Sequence, residues 1–197
     1  MKNKLSSKKR RHWSEYMWII SAVYLVLGIF NILFAWLGLL CFVIPLFISL
    51  LGGGKKYCNR YCGRGQILSI LGNKYKLSRN KQMPKFLKHK YFRYAFLLFF
   101  LIMFFNMLFI TYLVFNGTNS LHEVITLFWT LKLPWNFIDY SNVAPWIVQF
   151  AFGFYSMMLT STILGLITMF LYKPNSWCVY CPMGTMTQGI SIIKNRK

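Results

Sequence analysis

The chain has 197 residues, of which 23 are basic and only three are acidic, and 56 % of the residues are apolar. A soluble domain of this size would need more charge to cover its surface, so this composition excludes an ordinary soluble protein. The formal net charge of +20 does not indicate nucleic-acid binding, because no recognised nucleic-acid motif accompanies it.

The first apolar segment is an uncharged run over residues 16–54, which is 39 residues long. A helix that crosses the ~30 Å hydrocarbon core of a bilayer needs about 20 apolar residues, so this run is about twice too long for one helix. It predicts a hairpin, with one leg over 16–35, a turn at 36–38 and a second leg over 39–54. The second leg is short and contains Pro45, so it either spans fully or is re-entrant.

Two further uncharged runs follow, over residues 94–122 and 140–172. Each is long enough for one span, and we expect helices over about 92–115 and 144–172. The chain is therefore predicted to be an all-α polytopic membrane protein with about four transmembrane legs.

The distribution of Lys and Arg gives an orientation. Residues 1–13 hold six of them, residues 55–93 hold twelve and residues 173–197 hold four, whereas the loop over 116–143 holds only Lys132. Basic residues concentrate on the cytoplasmic side of membrane proteins. This pattern predicts a multi-pass protein of the cell membrane whose N- and C-termini are both cytoplasmic.

Two short motifs contain four of the five cysteines. Cys58 and Cys62 are spaced C-x3-C, and Cys178 and Cys181 are spaced C-x2-C, and each pair is flanked by aromatic residues and followed by a glycine. Four convergent thiolates are typical of an iron–sulfur cluster, and the same four could instead hold zinc. Cys41 lies within an apolar leg without a partner at ligand spacing, so we predict a packing role for it.

Residues around the motifs suit a metal centre. Gly65 and Gly184 allow the backbone to approach a cluster closely. Arg60, Arg64 and the adjacent lysines flank the first pair. Positive charge at this point favours thiolates over thiols and would offset the negative charge of a thiolate-ligated cluster.

The motifs divide the chain into two similar halves. We expect a first membrane hairpin with its motif over residues 14–72, and a second pair of spans with its motif over 94–190. A basic N-terminus (1–13), a basic linker (73–93) and a basic tail (191–197) complete the chain. Direct repeats of this kind place their functional site at the repeat interface, so the two cytoplasmic Cys-Cys-Gly motifs should meet.

The two motifs also resemble those of membrane 4Fe-4S binding proteins of the NapH, NosR and CcoG type. The resemblance implies one cluster held by Cys58, Cys62, Cys178 and Cys181, and a role in passing electrons between quinols or soluble carriers and a partner. Gly63 stands where that family usually has proline. The chain also lacks the C-x2-C-x2-C-x3-C-P runs of a soluble polyferredoxin segment, so the resemblance is to a minimal version.

The favoured function is membrane-bound iron–sulfur electron transfer between a cytoplasmic donor or quinol pool and a membrane partner, as a component rather than a stand-alone enzyme. The linker lysines could anchor anionic lipid or dock an acidic carrier of the ferredoxin or flavodoxin type. Geometry favours a quinone site near the aromatics of the two motifs, at Tyr57, Tyr61, Trp177 and Tyr180.

Two other readings use the same cysteines. A thiol–disulfide relay of the DsbB type has four legs and two cysteine pairs, but it holds those pairs on the extracytoplasmic side, and a relay facing a reducing cytosol would run against its gradient. Alternatively, the protein is an assembly subunit whose halves are stapled by zinc in a four-cysteine site.

Overall fold

The structure is a computed structural model, and it describes residues 16–50, 62–122, 124–127, 130–134 and 142–195. The described chain is mostly helical, which confirms the predicted helical class. The basic N-terminus over 1–13 and the segment over 51–61 lie outside these residues.

The first apolar run forms a helical hairpin. Helix α1 (Met17–Phe30) leads into a short 3-10 turn (Ile32–Phe34), from which α2 (Ala35–Leu50) returns. The Asn31 side chain accepts a hydrogen bond from the Leu33 amide at 3.0 Å and so caps the turn. The predicted turn at 36–38 was therefore wrong by about five residues.

Helix α3 (Gly63–Asn73) follows the first motif, and the one-turn helix α4 (Lys85–Lys88) precedes α5 (Lys90–Phe115). The fourth long helix is α6 (Pro145–Leu171), which has proline at its start, where the missing N–H costs nothing. Both α5 and α6 are long and apolar enough to cross a membrane, and their bounds match the predicted spans within two residues.

A two-stranded antiparallel ribbon connects α5 to α6. Strands β1 (Val124–Leu127) and β2 (Leu131–Pro134) pair with Ile125 opposite Leu133. The all-α prediction missed this ribbon. Its Ile125 is fully buried and packs with Ile32 at the tip of the first hairpin, so this tip and the ribbon lie at the same end of the molecule.

The second motif forms the one-turn helix α7 (Trp177–Tyr180), followed directly by α8 (Pro182–Asn195). The two motif helices pack in a crossed manner. Helix α3 packs against α1 of its own half and α6 of the other, and α8 packs against α5 of its own half and α2 of the other. The two halves therefore contact each other through the helices that follow the cysteines.

Helix α6 is the centre of the fold. Of the residues in its most apolar stretch 56 % are buried, compared with 11 % for α5. Its buried Tyr155 donates a hydrogen bond to the Leu25 carbonyl at 2.8 Å and thereby ties α6 to α1. Helix α5 instead leaves large apolar side chains exposed, including Leu98, Phe105 and Phe109.

Gly72 sets the spacing between α3 and the loop that precedes the second motif. A Cβ at this position would lie 2.7 Å from the Cβ of Pro174, a rigid neighbour that cannot rotate away. We expect Gly72→Ala to destabilise the protein by about 1–3 kcal/mol through overpacking. Thermal unfolding of the purified protein should show a midpoint that is lower by several degrees.

Gly189→Ala is the matched control, because a Cβ at this position in α8 meets nothing within 4 Å. Alanine is favoured over glycine in a helix by roughly 0.5–1 kcal/mol, so this variant should be neutral or slightly more stable. Equal midpoints for the two variants would contradict the predicted contact between Gly72 and Pro174.

Candidate metal centre

The second cysteine of each motif immediately precedes a helix. Cys62 is extended (φ −72°, ψ 103°) before α3, and Cys181 is extended (φ −51°, ψ 129°) before α8. Each carbonyl accepts the first backbone bond of its helix, from Gln66 and from Thr185, both at 3.0 Å. The positive ends of two helix dipoles are therefore located beside these two thiols, where they stabilise negative charge.

Gly65 brings the two motifs together. A Cβ built on Gly65 would lie 3.6 Å from the Cys178 sulfur and 3.7 Å from the Cys62 sulfur. The sulfurs of the two motifs therefore face the same point, and only a residue without a side chain leaves that point open. Two thiols that lie beside the space left by the missing side chain of Gly65 fit the donor set of an iron–sulfur cluster.

Cys62 and Cys181 also line one small cavity, of about 50 Å³, together with Cys41. Met158 and Ser161 of α6 form part of its wall. Ser161 lies ten residues before the end of α6 at Leu171, which is about 15 Å along the helix axis. This cavity therefore lies beside the middle of α6, and the predicted position of the site at the cytoplasmic rim stays a prediction.

Arg64 is the only basic residue that lines this cavity among the described residues. Burial lowers the pKa of its guanidinium, but attraction to Tyr24, Cys62, Cys181 and Cys41 outweighs burial and raises the pKa above its ordinary value. The side chain is therefore a permanent positive charge near the thiols.

Aromatic packing holds the second motif in place. Trp177 and Tyr180 are both buried, and their ring centroids are 5.0 Å apart. Phe96 of α5 packs edge-on against both, at 6.0 and 5.3 Å. Burial raises the pKa of the Tyr180 hydroxyl, so it stays protonated at neutral pH. The signature aromatics of the second motif therefore serve as its packing anchors.

Three of the four predicted ligands are described. Cys58 lies outside the described residues, as do Tyr57 and Tyr61. Within the described part of the chain, no three Cys, His, Asp or Glu side chains converge closely enough to hold a single metal ion. A 4Fe-4S cluster has a different requirement, because each of its four thiolates binds a separate iron atom.

A second cavity, of about 290 Å³, lies beneath the ribbon between α5 and α6. Its wall includes Asn106, His122, Lys132 and Gln149. The Gln149 side chain accepts a hydrogen bond from the His122 amide at 3.0 Å. The sequence drew attention to His122 but not to Asn106 or Gln149, although polar residues inside apolar helices are a recognised functional signal.

Comparison with known protein families identifies the cofactor. Residues 34–84 and 156–197, together a little under half of the chain, match the model of a 4Fe-4S binding domain. The two segments contain all five cysteines. The match confirms the predicted cofactor, an iron–sulfur cluster of the 4Fe-4S type. No curated protein and no solved structure matches the chain.

The Gly65 contact gives a direct test of the site. In Gly65→Ala the new methyl group is in ordinary contact with both sulfurs, so the fold should tolerate it, but it occupies the space between them. We expect iron and acid-labile sulfide content to fall severalfold while the thermal midpoint of the cluster-free protein is unchanged. Normal iron and sulfide content in this variant would show that the cluster does not occupy the space beside Gly65.

Proposed function

We propose that the protein is a membrane-bound electron carrier that holds one 4Fe-4S cluster between its two cysteine motifs. The observation that carries this proposal is the approach of the Cys62 and Cys178 sulfurs to the same point beside Gly65, within two segments that match a 4Fe-4S binding domain. When bound, such a cluster accepts and releases one electron at a time.

The proposed ligands are Cys58, Cys62, Cys178 and Cys181. The described members support this set, since the Cys62 and Cys178 sulfurs both lie beside Gly65 and Cys62 and Cys181 line a common cavity. The motif spacing supports the narrower assignment to the NapH, NosR and CcoG type. In this assignment the chain's own residues bind the cluster, exclude water from it and supply a compensating positive charge.

Exposed apolar surface supports a location in the membrane. A long apolar helix in a soluble protein is normally buried, yet most of α5 is not. Phe105 and Phe109 on α5 are 64 % and 59 % exposed, and Ile20 and Phe30 on α1 are 58 % and 67 % exposed. Lipid is the natural neighbour of such a surface. The distribution of basic residues then favours an orientation with both termini in the cytoplasm.

The proposed donor side is the basic linker. Lys81, Lys85 and Lys88 are all exposed, and Met83 of the linker packs in the same cluster as Trp177 and Tyr180. An acidic carrier of the ferredoxin or flavodoxin type would be steered to this surface by charge. A quinol is the alternative donor, and the mostly apolar cavity beneath the ribbon, with polar groups at Asn106, His122 and Gln149, offers it more room than the buried Trp177 and Tyr180 do.

Substitution of the cysteines tests the proposal. Anaerobically purified Cys62→Ser and Cys178→Ser should lose most of their iron and acid-labile sulfide and the EPR signal of the dithionite-reduced protein. Cys41→Ser is the matched control, because Cys41 lines the same cavity but is not a proposed ligand. It should retain the full iron content and signal.

Other outcomes identify the competing functions. Stoichiometric zinc without sulfide in the wild type would support a zinc staple. Metal-free protein with redox-active disulfides would support a thiol–disulfide relay and would contradict the cytoplasmic placement of the motifs. Loss of the cluster in Cys41→Ser would contradict the proposed ligand set.

The donor can be tested by salt dependence. If an acidic carrier docks on the linker, neutralising Lys81, Lys85 and Lys88 to glutamine should slow cluster reduction by a reduced ferredoxin about tenfold or more at low ionic strength. Lys132→Gln, which removes an exposed charge from the ribbon, is the control and should have no effect. If the rate of cluster reduction by ferredoxin is the same in the linker variant and in Lys132→Gln, and does not change with salt, docking of an acidic carrier on the linker is contradicted and the quinol is favoured as donor.

A further inference from the structure

Arg64 places a charged group where charge is costly. It is the second residue of α3, its side chain is half-buried, and its guanidinium contacts Met158 and Ser161 of α6. The side chain shares its cavity with Cys41, Cys62 and Cys181. A charged group in an apolar interior persists only when a compensating charge is close to it.

Two hydrogen bonds hold the guanidinium in place. One nitrogen donates to the Ser161 hydroxyl at 2.6 Å, and the other donates to the Met158 sulfur at 2.9 Å. The Ser161 hydroxyl in turn donates to the Met158 carbonyl at 2.9 Å, which fixes its own direction. These contacts define the geometry of Arg64, but both acceptors are neutral, and a thioether is a weak acceptor.

The chain offers Arg64 no carboxylate among the described residues. Its three acidic residues are Glu15, Glu123 and Asp139, and all three lie outside the described part of the chain. Among the described residues, the nearby groups that can carry negative charge are the thiols of the cavity and the Tyr24 hydroxyl, and a thiol ionises at a lower pH than a phenol does. A thiolate-ligated cluster at this point is therefore the anion that the buried guanidinium matches.

Resting on the function proposed above, we propose that Arg64 is the internal counter-charge of the cluster and raises its reduction potential. Reduction adds one electron, supplied by the proposed ferredoxin-type carrier or quinol, and makes the cluster more negative by one charge. No bond to Arg64 forms or breaks. Because the guanidinium attracts the reduced form more strongly than the oxidised form, it favours uptake of that electron.

The interior location increases this effect. Interactions between charges are several times stronger in the protein interior than at a surface in water. Arg79 and the lysines of the linker at this end are exposed and are screened by solvent, and Arg93 is half-buried but donates to Gln188 and does not line the cavity. Arg64 therefore acts on the cluster through its charge and not as a ligand, and its effect should be measurable as a change in the reduction potential of the cluster.

Redox titration of the purified holoprotein, followed by EPR, measures this potential. In Arg64→Gln the equilibrium should shift toward the oxidised cluster by at least tenfold, which corresponds to about 59 mV for one electron. Arg64→Lys keeps the charge and should stay within that limit. Arg79→Gln is the matched control, since it removes an exposed positive charge over the Phe170 ring, and it should leave the potential unchanged.

The proposal would be overturned if Arg64→Gln shifts the redox equilibrium of the cluster by less than tenfold relative to the wild type. An equal shift in Arg79→Gln would also overturn it. If Arg64→Gln assembles no cluster, assembly with a near-native potential in Arg64→Lys would support the requirement for charge. If neither assembles, Ser161→Ala decides: a shift toward the oxidised form supports the role of Arg64, and no shift overturns it.

The same samples separate this inference from the function on which it rests. A wild-type protein that contains no iron and sulfide would overturn both. A wild-type protein with a normal cluster whose potential does not respond to Arg64 would overturn the counter-charge alone and leave the electron-transfer function in place.

Discussion

The crossed packing of α3 and α8 is the constraint on which the metal centre depends. The two cysteine motifs are more than one hundred residues apart in the chain. Each is followed by a helix that packs on one long helix of its own half and one of the other. Cys62 and Cys178 can face the same point only because both motif helices are held by both halves.

Glycine and aromatic residues complete this arrangement in complementary ways. Gly65 leaves space beside the sulfurs. Gly165 of α6 allows the Trp177 ring to approach closely, since a Cβ built on Gly165 would lie 3.5 Å from that ring. Trp177 then contacts Tyr180 and Phe96, which join the second motif to α5. The small residues determine how closely the elements approach, and the large rings determine the direction from which they do so.

The sequence predicted the two long apolar helices and the cofactor from properties that do not depend on tertiary packing. Apolar length gives α5 and α6, and cysteine spacing gives the cluster. The turn of the first hairpin was misplaced because it was positioned from the length of the apolar run, and Gly38, which lay in the predicted turn, is not a turn residue. In the fold it lies within α2, where a Cβ would approach the Phe154 ring at 3.0 Å, so this glycine serves close packing.

Other features required three dimensions. Arg64 stood in the sequence as one of several basic residues beside the first motif, and nothing distinguished it from Arg60. Its position on α3, one residue after the start, turns it toward Ser161 on α6, ninety-seven positions away. The ribbon was missed for a similar reason, since its four-residue strands are short and become stable only when Ile125 packs against α6 and the hairpin tip.

The depth of the site connects these findings. Ser161 in the cavity wall lies about 15 Å along α6 from the end of that helix, and Cys62, Cys178 and Cys181 are half-buried. Such a site needs compensating charge from the protein itself. The guanidinium of Arg64 and the N-terminal ends of α3 and α8 are all directed to this region. Among the described residues, the linker lysines are exposed to solvent, whereas Arg64 lines the same cavity as Cys62 and Cys181.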